Sequence, residues 1–202
     1  MARRARKQIL FDSCYAHILS RSFEKRWIFE DSEDFEAFKG YLLKSKEKHK
    51  FLIHHYCLMR THFHLAVSIP DLKAFSRGLQ QVKWHYTARY NKRYQRSGPL
   101  WRERFKSLLI EDEQYLYACG LYVEENPLKA GLVEKREDWP YSSATYYLLG
   151  KSDLLLDPYE GKGIPPGVNP RDESFFTQGP GIGSELFQIH LREGLLKNMT
   201  VP

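Results

Sequence analysis

Hydrophobic and polar positions alternate most cleanly from His62 to Ile69. Phe63, Leu65, Val67 and Ile69 fall on one face of a strand, and His62, His64, Ala66 and Ser68 on the other. Earlier, Tyr15, His17 and Leu19 alternate with Ala16, Ile18 and Ser20, which predicts a first strand. Phe51 to Met59 is rich in β-formers and predicts a second, with Arg60-Thr61 turning into the His62 strand. Leu100 to Ile110 predicts a fourth. Helical spacing takes over between them. Phe35, Phe38, Tyr41 and Leu42 share a face from Asp31 to about Lys48, with acids first and lysines last. Leu72, Phe75, Leu79, Val82 and Tyr86 follow the Pro70-Asp71 cap, and Ser97-Gly98-Pro99 stops that helix. Glu111 to Asn126 is the third helix, which Pro127 ends or bends. The order β-α-β-β-α-β-α predicts an α+β fold. It is a ferredoxin-like four-stranded antiparallel sheet with packed helices, the third lying beside it.

Composition changes beyond Gly150. Residues 151–183 hold five of the ten prolines and six of the thirteen glycines, so this stretch reads as an extended tail ordered by docking on the body. A short amphipathic helix, Ser184 to Leu196, follows. The expected division is a domain over residues 1–150 and a C-terminal tail over 151–202. No apolar run approaches the roughly 18 residues of a membrane span. The basic N-terminus lacks the apolar stretch of a secretory signal. Cys14, Cys57 and Cys119 are dispersed, which argues against a disulfide framework or zinc ribbon and for a reducing, cytoplasmic setting.

The net charge of +6 is uneven. Residues 151–202 carry five cations against seven acids, a net −2, which leaves +8 on residues 1–150. A basic body with 14% aromatic residues suits nucleic acid, whose backbone is anionic and whose bases stack. Arg102, Arg104 and Lys106 alternate onto one face of the fourth strand and could follow a phosphate backbone; the ordinary alternative is an exposed edge strand. Arg3, Arg4, Arg6 and Lys7 are further candidates for DNA contact. His62 and His64, two apart on one strand face, could share a metal ion, and otherwise are ordinary polar strand residues. Tyr122 and Asn126, four apart on one helix face, could bring a hydroxyl and an amide oxygen to the same place. His17, His54 and His55 lie on neighbouring strands and could support that site.

Several blocks carry a family resemblance. His62-Phe63-His64 resembles the His-hydrophobic-His signature of the HUH nucleases. Tyr122-Val-Glu-Glu-Asn-Pro-Leu-Lys-Ala-Gly-Leu-Val133 resembles the tyrosine signature of the REP-associated tyrosine transposases, in the single-tyrosine HUH superfamily. Gly98-Pro-Leu-Trp-Arg-Glu-Arg-Phe105, Tyr86-Thr-Ala-Arg-Tyr-Asn91 and Trp139-Pro-Tyr-Ser-Ser-Ala144 resemble further blocks of that family, in the same order. The resemblance spans about residues 9–148. Arg60-Thr61 stands where the family usually has Pro-Asn, and the tail is only faintly similar.

The resemblance implies a metal-dependent single-stranded DNA transposase acting at repeat hairpins. His62, His64 and Asn126 would hold a divalent ion, Mg²⁺ or Mn²⁺, with zinc also acceptable to imidazole. Tyr122 would attack the scissile phosphate and form a 5′-phosphotyrosine. Single-stranded or hairpin DNA is the expected partner, and no membrane. Two other readings stand beside this one: a non-catalytic nucleic-acid-binding domain of the same fold, and a hydrolase that uses water activated at His62 and His64. Monomer and homodimer remain equally open.

Overall fold

The computed structural model describes residues 10–159, 163–177 and 181–193. In chain order the elements are β1 (Cys14–Arg21), α1 (Ser32–His49), β2 (Leu52–Met59), β3 (His62–Ile69), α2 (Leu72–Arg93) and β4 (Lys106–Ile110). There follow α3 (Glu113–Glu124), α4 (Asn126–Lys129), α5 (Ala144–Leu149), α6 (Glu173–Thr177), β5 (Gly181–Ile182) and α7 (Glu185–Glu193). The main helices begin where their acids allow. Asp31, Asp71 and Asp112 each accept backbone N–H groups in the first turn of α1, α2 and α3, which would otherwise lack partners.

Strands β1 to β4 pair antiparallel in the order β2-β3-β1-β4, the arrangement a split β-α-β unit produces. The tail adds a fifth strand. β5 runs parallel to β4, with Leu109 opposite Gly181 and Ile110 opposite Ile182. Gly181 makes this possible, since a Cβ there would lie 2.9 Å from the Leu109 carbonyl oxygen. Among the described residues no helix is long and apolar enough to cross a membrane.

One face of the sheet packs on α1 and α2. Ala16, Ile18, Phe63, Leu65, Val67 and Ile69 meet Phe35, Phe38 and Leu42 of α1 and Phe75, Leu79 and Val82 of α2. A bulge between Ile53 and His55 shifts the alternation of β2 by one residue. Ile53, Tyr56 and Leu58 therefore join this core, while Cys57 turns to the other side.

The third helix packs against the sheet as expected, on the face that carries the histidines. Leu116, Cys119, Tyr122 and Val123 of α3 pack with Cys57, Met59 and Ala66. The sheet is thus buried on both sides, which a polar-looking face does not announce. Gly120 sets the closeness of this contact, because a Cβ at that position would run into the ring of His55.

The fourth strand is shorter than its alternation suggests. Gly98 adopts a positive φ of 90°, and Trp101 makes only an isolated bridge to Ser22. The ladder to β1 begins at Lys106. Arg102 and Arg104 therefore sit in a bend before the strand, although their side chains, like that of Lys106, remain exposed.

The described tail residues run back over the body. Leu155, Leu156, Phe187 and Leu191 enter the first core, and Phe176 and Ile182 the second. Along the outer side of β2, the Leu58 N–H donates to Tyr141 O, the Ser143 N–H to Tyr56 O, and the Asp157 N–H to Ile53 O. The predicted terminal helix appears as α7, and its expected last residues, from 194, lie outside the described residues.

Candidate functional site

β3 places His62 and His64 on its α3-facing side, with ring centroids 5.1 Å apart. His64 is buried; its Nδ1 lies 2.9 Å from Nε2 of His17, and His17 Nδ1 lies 2.9 Å from the carbonyl oxygen of Phe176. The β1–β3 register explains the first contact. Leu19 stands opposite His64, so His17 is its diagonal neighbour on the same face. His62 is half-buried, and its Nδ1 lies 2.9 Å from the hydroxyl of Thr61.

All three imidazoles are held neutral. Burial pulls His17 down to about 4, and burial together with the Arg21 charge does the same to His62. His64 is lowered well below its ordinary value, first by burial and then by the nearby His62, His17, Arg21 and Lys129. Neutral imidazole is the form that binds a metal.

α3 delivers Tyr122 into this cluster. Its ring stands edge-on to His64 at 5.9 Å and to His17 at 5.8 Å. Phe176 of α6 stacks on it at 4.8 Å, within 12° of parallel, and Lys129 Nζ lies 4.6 Å from the ring centroid. The residue is only 1% exposed. Burial raises its phenol well above the usual tyrosine value, so it is protonated at neutral pH. Just below, α3 bends into α4 without unwinding, because Glu125 keeps helical angles. Asn126 Nδ2 donates to the carbonyls of Tyr122 and Val123 at 3.0 and 3.1 Å. The amide nitrogen is thereby committed, which leaves Oδ1 as the side chain's acceptor atom.

Among the described residues no three His, Cys, Asp or Glu side chains converge on a metal position. Two neutral imidazoles with one amide oxygen lie outside that description, and as a donor set they suit a divalent ion. In such a set Asn126 Oδ1 and a His62 ring nitrogen would be the donors beside His64.

A buried network ties α3 to the sheet. Glu124 Oε1 accepts from His55 Nδ1 and from Ser143 Oγ, both at 2.8 Å, and Arg136 lies 3.9 Å from Oε2. Tyr159 closes the other side of His55 at 3.0 Å. His54 is occupied elsewhere, between Asp157 O and Ser68 Oγ.

Arg102, Arg104 and Lys106 are exposed, whereas His17, His64 and Tyr122 are buried, and Arg3, Arg4, Arg6 and Lys7 lie outside the described residues. Sequence reasoning missed Phe176, Glu124 and Lys129. Glu124 and Lys129 stand inside the tyrosine motif, where an acid and a base next to the candidate tyrosine were a usable signal. Phe176 sits in the Pro/Gly-rich stretch, where no periodicity marks it. Arg60, at the family's Pro-Asn position, lies over the half-exposed ring of Trp27 at 4.0 Å, next to the strand of His62.

Because Phe176 lies flat on Tyr122, Phe176→Ala is expected to open the phenol to solvent. Tetranitromethane nitration, read by peptide mass, should then modify Tyr122 several times faster than in the unaltered chain. An unchanged rate would show that other residues hide the ring.

Comparison with known proteins gives one consistent picture. The family described as IS200-like transposases matches residues 10–126. A protein of Haemophilus influenzae named as a REP-associated tyrosine transposase is 33% identical over 98 residues, which cover 43% of this chain and 55% of that protein. The chain thus matches about half of that relative's length. A solved structure of a REP-associated tyrosine transposase bound to a REP hairpin matches with a TM-score of 0.61 at 17% identity, over 84% of this chain and 97% of that one. At that identity the likeness is one of fold.

Proposed function

The chain belongs to the IS200-like transposase family, matched over more than half its length, and from that premise we propose a metal-dependent DNA strand transferase. It cleaves and rejoins single-stranded DNA at repeat hairpins through a 5′-phosphotyrosine. The observation that supports this most is the meeting of Tyr122 with His64, about sixty positions away in sequence and itself beside His62, with Asn126 one turn along from the tyrosine. The hairpin-bound relative of like fold supports the choice of DNA.

His62, His64 and Asn126 would hold a divalent ion, which when bound would supply polarisation of the scissile phosphate and offset charge in the in-line displacement. Tyr122 supplies the nucleophile. Its phenolic oxygen bonds to phosphorus, the bond from phosphorus to the 3′-oxygen breaks, and the phenol's proton goes through solvent to the leaving 3′-hydroxyl. The phosphodiester energy is kept in the tyrosyl ester, so a second 3′-hydroxyl can reseal the strand. Lys129 beside the ring favours the anionic phenolate as it forms. Access for the strand requires the Phe176 ring to leave the face of Tyr122.

Arg102, Arg104 and Lys106 are the proposed backbone contacts. Replacing all three with alanine should flatten the dependence of log affinity on log salt by about 2 to 3 units, the sum expected for three lost phosphate contacts. Anisotropy titrations of a labelled hairpin at several salt concentrations measure it, and an unchanged slope would remove these residues from the interface. The reading as a whole is tested by incubating the full chain with end-labelled single-stranded hairpins from repeats flanking its gene, with Mn²⁺. A label that migrates with the protein on a denaturing gel is the expected result. Cleavage without a label shift would favour hydrolysis by water.

A further inference from the structure

His17 belongs to none of the roles assigned above, yet its hydrogen bonds constrain His64. A neutral imidazole carries one N–H. The carbonyl oxygen of Phe176 can only accept, so at 2.9 Å it requires that proton on His17 Nδ1. His17 Nε2 is then a lone pair. The atom facing it at 2.9 Å is His64 Nδ1, which must therefore be the donor. The two rings lie within 12° of parallel, consistent with a bond directed along an in-plane lone pair. The single N–H of His64 is thus fixed on Nδ1, and its Nε2 is left bare. His62 is not constrained in this way, because its partner is a hydroxyl that donates or accepts equally well.

We propose that His17 is a positioning residue: directed by the Phe176 carbonyl, it holds His64 in the one tautomer whose Nε2 can ligate a metal. The relay connects the tail to the centre of the sheet, so that docking of α6 and metal binding at His64 reinforce each other. It rests on the reading of His64 as a metal ligand. Residues that orient a ligand through its second nitrogen commonly change metal affinity by about 10- to 100-fold.

The experiment uses the full chain with ¹⁵N-labelled histidine. Without metal, long-range ¹H–¹⁵N correlation spectra report which ring nitrogen carries the proton. The expected result is protonated Nδ1 on both His17 and His64. His17→Gln keeps a donor for Phe176 and an acceptor for His64, and should preserve the His64 tautomer; His17→Leu should release it. Mn²⁺ binding by calorimetry should weaken about 10- to 100-fold in His17→Leu and stay within about 3-fold of wild type in His17→Gln. A proton on Nε2 of His64 in the unaltered chain overturns the proposal. So does unchanged Mn²⁺ affinity in a folded His17→Leu variant when His64→Ala does weaken it. If the tautomers behave as described but His64→Ala leaves Mn²⁺ affinity intact, the relay stands and the metal-site reading falls.

Discussion

Tyr122→Phe is expected to abolish covalent capture of DNA while leaving hairpin affinity within about 2-fold. The substitution removes one oxygen and keeps the ring, so the stack on Phe176 and the edge contacts to His17 and His64 survive. The fold should not notice it. What is lost is the only atom proposed to bond to phosphorus, and removal of a nucleophile usually lowers turnover by about 10³-fold or more. His64→Ala is the matched control, since it should also stop cleavage while leaving the phenol in place. Denaturing gels of labelled hairpin with each variant measure the effect. Full cleavage by Tyr122→Phe would sink the tyrosine mechanism and favour attack by water.

The second large effect concerns stability. Glu124→Ala should destabilise the chain by about 3 to 5 kcal/mol, the usual result of removing one partner from a buried, hydrogen-bonded pair. Glu124 and His55 are both almost wholly buried, and Ser143 shares the same carboxylate oxygen. Without it, His55 and Ser143 each lose a partner in a place water does not reach. That is a large share of the roughly 5 to 15 kcal/mol that holds an ordinary domain together. Glu124→Gln should cost less, because both bonds go to one carboxylate oxygen and an amide oxygen in its place can still accept them. Urea unfolding with an unchanged slope measures the difference. A loss below about 1 kcal/mol would mean that α3 is held to β2 by apolar packing alone. Since α3 carries Tyr122 two residues before Glu124, this network also fixes where the proposed nucleophile sits.

Much of the fold is legible because each strand and helix keeps one clean period. Phe63 to Ile69 alternate, Phe35 to Leu42 turn by helical steps, and aspartates mark the starts. The less legible half is the face that carries His17, His55 and His64. Its polar residues read as a wet surface, but they bond to one another and to Glu124 and Phe176, which lets α3 cover them. Alternation reports the chemistry of side chains and not who satisfies them. The same limit explains the fourth strand. Arg102 and Arg104 alternate like strand residues, yet they sit in a bend, and the regular ladder to β1 starts only at Lys106. In the site, the tyrosine motif pointed to Tyr122 and Asn126 because helical spacing is local. Phe176 was invisible because its contact spans more than fifty residues and follows no period.

The two outermost strands of the sheet have a consequence beyond the site. A border strand normally offers a row of free N–H and C=O groups that another chain can pair with. Here residues 141–143 and 157 bond along the border of β2, and β5 lies along the border of β4. The covered stretches of β2 and β4 are thus closed to pairing with a second copy, and the border beyond β4 is reduced to the two residues of β5 among those described.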